Sequence, residues 1–269
     1  MSIKLGILAS SMSGNTTDPD ALAFFNRVTA AGGTLTITEK SAVNQLVLSM
    51  KANSLWTLMK VIYPFVGASN AACRQNLVSA SFTGTFVNAW TFTSAGIQQF
   101  GTSYMNTNFN NQSNWTSTSN GSMGFVSATN ETGTQVVDMG STVNYLNLND
   151  TSAIAANYTG TFFAAINCTS IAPGVSNPST IGFFVTSRLN STTFSKYKRG
   201  SSTINSTNTD AVGSNPNTTI YFSAVNQSNA SYFFSKKLYN FCFIGDGLTQ
   251  SQVDTFWTII QTFNSSLGR

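Results

Sequence analysis

From about residue 78 to residue 244 the chain is cut into short β-prone runs, and no other feature restricts its fold so strongly. The runs include Ser81-Phe82-Thr83, Ala89-Trp90-Thr91-Phe92, Ser122-Met123-Gly124-Phe125-Val126 and Thr161-Phe162-Phe163-Ala164-Ala165-Ile166. They continue with Ile181-Gly182-Phe183-Phe184-Val185, Thr193-Phe194-Ser195-Lys196-Tyr197, Thr219-Ile220-Tyr221-Phe222-Ser223 and Leu238-Tyr239-Asn240-Phe241-Cys242-Phe243-Ile244. Clusters of Gly, Asn, Ser and Pro separate them. Runs this short, punctuated by turn residues, predict a mainly β fold, an antiparallel β-sandwich of the jelly-roll kind. A chain of 269 residues with 41% hydrophobic and 12% aromatic residues can bury such a core and offset its ordering entropy.

Helices are expected on both sides of this region. Residues 1–17 read as an N-terminal arm, and 18–77 as a helical section. Asp18-Pro19 starts a first helix, with Asp as cap, Pro in the first turn, and Leu22, Phe25 and Val28 on one face. It stops before Ala31-Gly32-Gly33. Thr38 opens a second helix carrying Val43, Leu46, Val47 and Met50 at i, i+3, i+4, i+7. A third, short helix runs from Ser54 through Met59 and ends before Pro64. The β-sandwich, 78–269, closes with a C-terminal helix over 249–264 that packs on it. Thr249 and Gln252 fit a capping box, Leu248 and Val253 a hydrophobic staple, and Val253, Phe256, Trp257 and Ile260 the buried stripe.

Charge narrows the partners. Only 8% of residues are charged, against about a quarter in an ordinary soluble domain. The net charge of +4 is spread thinly, so no dense basic stripe favours nucleic acid. The two basic clusters, Lys196-Tyr197-Lys198-Arg199 and Lys236-Lys237, read as exposed strands or turns that guard sheet edges, with contact to phosphate or an acidic polymer as the alternative. Cys73, Cys168 and Cys242 have no metal-binding spacing and read as buried free thiols. No run approaches the ~20 apolar residues of a membrane span, so membrane insertion is not expected. The first eleven residues have too short an apolar core for a cleaved signal. Triplets such as Asn114-Trp115-Thr116 and Asn157-Tyr158-Thr159 follow from a composition rich in Asn, Ser and Thr.

Histidine is absent, which removes the Ser-His-Asp and Cys-His arrangements and most zinc sites. Of the two glutamates, Glu39 belongs to a helix first turn. Glu131 and Asp138, flanking Thr132-Gly133-Thr134, are the one close acidic pair of the β-region. They could face each other across a hairpin as glycosidase carboxylates, or lie in an ordinary surface loop. Asn147, Asn149 and Asp150, or Asp246 with Asn240, lack calcium-loop spacing, so neither metal nor cofactor is expected. The chain is therefore expected not to be an enzyme. Exposed aromatics in the Asn-rich stretch 103–120 could stack on sugar rings: Trp115 and Tyr104, or Phe109, with Asn114 hydrogen-bonding beside them. Trp56, Trp90 and Trp257 are assigned to the core.

Two stretches resemble a known family. Leu55-Trp56-Thr57-Leu58-Met59-Lys60 with Ile62-Tyr63-Pro64-Phe65-Val66-Gly67 resembles the segment before the β-domain of tailed-bacteriophage virion structural proteins. Phe243-Ile244-Gly245-Asp246-Gly247-Leu248-Thr249, with Phe263 and Leu267-Gly268-Arg269, resembles how those proteins close. The resemblance spans roughly residues 18–269 and implies a concanavalin A-like, laminin-G-type jelly roll. It also implies a place on the virion as an accessory capsid, tail or fibre component acting by binding and assembly. The partners it implies are other virion proteins, further copies of the chain, and host-surface glycans. A lectin-like carbohydrate-binding module is the alternative, and a glycan-degrading hydrolase using Glu131 and Asp138 a third.

Overall fold

The computed structural model describes residues 16–131, 135–144, 150–169 and 173–269. The expected arm therefore lies, except for its last two residues, outside the described residues, as do Asn147, Asn149 and the turn 132–134. Helix α1 (Pro19–Ala30) is capped by Asp18, whose carboxylate accepts from the Asp20 amide at 2.9 Å, with Pro19 at its start. Its buried face is Ala21, Phe24, Phe25 and Val28, while Leu22 stays half exposed. Phe25 and Val28 of the expected stripe are thus buried, while Ala21 and Phe24 take the place of Leu22. Helix α2 (Ile37–Ala52) begins two residues earlier than Thr38 suggested. Thr36 is the cap, its hydroxyl accepting from the Glu39 amide and the Glu39 carboxylate accepting from the Thr36 amide at 2.8 Å.

The third expected helix is replaced. A single 3₁₀ turn over Trp56–Leu58 leads into strand β1 (Met59–Tyr63). The strand forms because Val61-Ile62-Tyr63 has a ladder partner near the far end of the chain, which helical periodicity cannot reveal. After the short helix α3 (Asn70–Cys73) come β2 (Thr85–Val87), β3 (Trp90–Thr93), β4 (Gly96–Gln99), β5 (Tyr104–Asn110), β6 (Gly121–Ser127) and β7 (Met139–Thr142). Strands β8 (Thr151–Tyr158), β9 (Thr161–Cys168), β10 (Val175–Ser176), β11 (Gly182–Arg188), β12 (Thr193–Gly200) and β13 (Ile204–Thr209) follow. The series ends with β14 (Thr219–Phe222), β15 (Val225–Gln227), β16 (Ala230–Tyr232), β17 (Leu238–Gly245) and helix α4 (Gln250–Ser266).

These strands make two sheets, whose pairings are antiparallel except β15 with β7. Sheet I has the order β13-β12-β11-β6-β17-β4-β3, with β1 also on β17; sheet II has the order β10-β9-β8-β7-β14-β5-β2, with β15 and β16 off that path. The protein is a mainly β, two-sheet sandwich with a C-terminal helix packed on it, as the spacing of the runs predicts. Between the sheets lie Met105, Phe109, Met123, Phe125, Ile154, Phe162, Phe184, Phe194, Ile220 and Phe222. The other face of sheet I presents Val126, Phe183, Val185, Phe241 and Phe243, and these share one core with α1, α2 and α4. Two apolar faces on one sheet explain why its central strands read as nearly unbroken hydrophobic runs. Strand alternation also disposes of the expected basic edge guards. On β12, Lys196 and Lys198 share the inward parity of Phe194 and are fully buried, while Tyr197 and Arg199 face the helices. Lys198 donates to the Asn177 side chain at 2.6 Å and the Ser179 carbonyl at 2.7 Å; Lys196 donates to the Pro173 carbonyl. Burial pushes the pKa of both lysines down. Arg199 pairs with Asp254 of α4, and of Lys236-Lys237 only Lys236 is exposed.

Candidate functional site

Helices cover the outer face of sheet I, so sheet II carries the sandwich's open face. Inward alternation of Met105 on β5, and of Ile220 and Phe222 on β14, turns Tyr104, Asn106 and Tyr221 outward. Register places Thr85, Asn106, Tyr221, Gly140 and Ala153 in one row across five strands. Beside that row Tyr104 stacks on Tyr221, ring centroids 4.3 Å apart and planes 20° from parallel. Tyr221 is almost covered, whereas Tyr104 keeps part of its surface in solvent. Burial, followed by the hydroxyl of Tyr104, pushes the Tyr221 phenol up to about 12, so it stays protonated at neutral pH. Gly140 keeps the floor flat: a Cβ there would lie 2.8 Å from the Ala153 methyl. At the far side Phe163 and Phe233 pack with Val137, Ala153 and Val225. None of these residues is charged. The arrangement is an aromatic platform edged by amide and hydroxyl groups.

Of the residues singled out in the sequence, Tyr104 alone stands on this platform. Trp115 is only 8% exposed, its ring edge-on to Phe109 at 4.8 Å and its indole N–H donating to Asn111 at 2.9 Å. The flat face a sugar would need is thus turned into the inter-sheet core. The expectation that Trp115 is the exposed ring is corrected on that ground. Phe109 is likewise fully buried. Asn114 accepts from the Asn110 amide at 2.6 Å and closes the turn after β5. The seven residues of β5 separate that turn from Tyr104, about 20 Å at roughly 3.3 Å per residue. Conversely Trp56, Trp90 and Trp257, assigned to the core, are half-buried at its margins. Tyr221 was missed, although the alternation Ile220-Tyr221-Phe222 announces it: two apolar residues facing inward force the tyrosine out.

Glu131 and Asp138 do converge, but not on a surface. Lys237 donates to Asp138 at 2.8 Å and to Glu131 at 3.2 Å, and its remaining donor reaches the Ser235 hydroxyl at 2.9 Å. The Tyr239 hydroxyl bonds to Asp138, whose second oxygen accepts from the Ala156 amide at 2.7 Å. Asp138, Ser235, Lys237 and Tyr239 are fully buried, and Glu131 keeps a fifth of its side-chain surface. Burial, then the charge of Asp138, hold the Tyr239 phenol well above its ordinary pKa. Every carboxylate oxygen already has a donor, so the cluster is built as a hydrogen-bonded structural tie around one ammonium. The surface loop expected around this pair is replaced by a buried network.

The alternative cation ligands are also engaged. Asp246 accepts from Thr116 at 3.0 Å and pairs with Lys60 at 3.3 Å. The Asn240 side chain accepts from Asn264, and its carbonyl from Arg269. Among the described residues no cluster of three or more Asp, Glu or Cys could hold a metal ion, and no helix is long and apolar enough to cross a membrane.

No family model matches the chain. No curated protein matches it either. Among solved structures, the sandwich is similar to domain 4 of AbnA, a GH43 extracellular arabinanase from Geobacillus stearothermophilus, in complex with arabinotriose. The identity is 16% and the TM-score 0.49, over 74% of this chain and 98% of that one. The expectation that the chain is no enzyme is withdrawn, because it was drawn from the absence of histidine, which does not exclude glycoside hydrolysis. Glycoside hydrolysis proceeds on a pair of carboxylates.

Proposed function

We propose that the protein binds carbohydrate on the outer face of sheet II. The observation that carries this reading is the Tyr104–Tyr221 stack on an uncharged, polar-edged sheet face. An aromatic ring offers its face to the C–H bonds of a pyranose or furanose, while neighbouring amides and hydroxyls meet the sugar hydroxyls. Tyr104 is the stacking ring, Tyr221 holds it in place from beneath, and Asn106 and Thr85 supply hydrogen bonds. The absence of charge on this row favours neutral glycans over uronic or sialic acids. The neighbour's complex with arabinotriose makes arabinan a natural first probe.

Affinity electrophoresis against a panel of neutral polysaccharides, arabinan among them, tests the site. Tyr104→Ala is expected to weaken binding about tenfold, roughly 1.4 kcal/mol, and Tyr104→Phe to keep most of it. Retention by Tyr104→Ala equal to that of the parent protein would remove the platform from the site.

For the setting, we propose display on a phage particle, with the sandwich turned outward. The support is the pair of family-like segments, which meet as neighbours in the fold: β1 lies against β17, with Ile62 opposite Phe243 and Tyr63 opposite Cys242. Mass spectrometry of purified particles checks it. Loss of the chain from particles through density-gradient purification would exclude that setting and leave the sugar site standing.

A further inference from the structure

Sheet I ends in β13, and this edge differs from the other ends of the two strand paths. It also differs from the off-path edges, β16 with three residues and β1 with a register shift between Met59 and Val61. Strand β10 has two residues, β2 three and β3 four. The β2 and β3 rims are also stitched together by Phe86, which packs against Trp90 at 5.0 Å and Phe92 at 4.9 Å. Strand β13 pairs with β12 over six consecutive residues without a bulge. Its sequence, Ile204-Asn205-Ser206-Thr207-Asn208-Thr209, has no charge, no proline and no glycine. Asn205, Thr207 and Thr209 are exposed, and Ile204, Ser206 and Asn208, which alternate with them, are half-buried. Among the described residues no backbone group beyond β12 bonds to these six. A sheet edge is ordinarily guarded by a lysine, a proline or a bulge. Here the adjacent lysines are turned inward, Arg199 donates to the Ile204 carbonyl at 3.1 Å, and the rest of the edge's backbone is bare among the described residues.

We propose that this edge pairs with the same edge of a second copy of the chain, β13 running antiparallel to β13 across a two-fold axis normal to sheet I. A copy is the partner the edge fits, for two reasons. An uncharged strand meets itself without repulsion, and antiparallel pairing satisfies the free N–H and C=O groups of both copies at once. The Asn, Ser and Thr side chains then lie opposite one another, where cross-strand hydroxyl and amide bonds form. A two-fold axis normal to the sheet puts both copies of sheet II on the same side of the joined sheet. If sheet II binds sugar as proposed above, the pair engages a glycan-coated surface bivalently. The dimer itself does not depend on that reading.

Light scattering coupled to size exclusion, over a dilution series, tests the pairing. The parent chain is expected to have twice the monomer mass. Thr207→Lys/Thr209→Lys, which sets like charges across the axis, is expected to halve it while the far-UV circular dichroism stays that of the folded parent. Thr209→Lys alone serves if the double variant does not fold. A parent chain that is monomeric throughout, or a folded variant whose mass equals that of the parent, overturns the proposal.

Discussion

Lys237 holds the most charge-dense point of the interior. Its ammonium is shared by Asp138, Glu131 and Ser235, and it has no exposed surface. Removing one partner of a buried ion pair leaves the other uncompensated, which destabilises by about 3–5 kcal/mol. Lys237→Met therefore should lower the unfolding free energy by an amount in that range, read from the midpoint of urea denaturation. A loss under about 1 kcal/mol would mean that the pair behaves like an exposed surface bridge. The same residue marks where sequence reasoning runs out. Lys236-Lys237 reads as an exposed basic turn, yet strand alternation sends one lysine out and the other in. Trp115 gives the mirror case. An Asn-rich neighbourhood suggests exposure, but the turn that Asn110 and Asn114 close folds the indole back onto Phe109.

Elements whose signals are local were legible. The α4 capping box of Thr249 and Gln252 stands where the sequence puts it, with the Thr249 amide donating to Gln252 at 2.8 Å. Asp18-Pro19 likewise opens α1. Elements defined by distant partners were not: Met59–Tyr63 becomes a strand because β17 is there to pair with it. The α2 start is a close miss between two threonines, and the energetics separate them. Thr36→Ala removes the acceptor of the Glu39 amide and is expected to destabilise by about 1 kcal/mol. Thr38→Ala, an exposed position, should stay within about 0.5 kcal/mol. Equal losses in thermal melts would contradict the assignment of the cap. The candidate site follows the same division. Tyr104 was visible as an aromatic in a polar stretch. Its partnership with Tyr221 required knowing that β5 and β14 are adjacent.

Across the whole molecule, a scarcely charged sandwich keeps several ionisable groups inside, and their signs decide how it responds to alkali. Burial raises the pKa of Cys73 to about 12 from an ordinary 9.0, and raises those of Cys168, Cys242, Tyr63 and Tyr239. For each of these acids the unfolded chain ionises first. Their contribution is therefore complete below about pH 9 and is lost as pH climbs toward the folded values. Lys196 and Lys198 act in the opposite sense. Burial lowers their pKa, so the penalty of keeping them charged disappears as pH rises toward 10.5, and that favours the fold. Burial lowers the pKa of Arg269 to about 10 and also lowers that of Arg27, in the same sense as the lysines, but their relief comes only at higher pH. The five acids outnumber the two lysines. Cys73 alone spans three pKa units, about 4 kcal/mol at roughly 1.4 kcal/mol per unit. Unfolding free energy should accordingly hold steady through neutral pH and fall from about pH 9 upward. Cys73→Val should flatten that fall, so that the gap between variant and parent shifts in the variant's favour above pH 9 and is constant below it. Urea titrations at stepped pH read both effects. Stability that climbs between pH 9 and 11 would show that the two lysines, rather than the buried thiols and phenols, govern the alkaline limb.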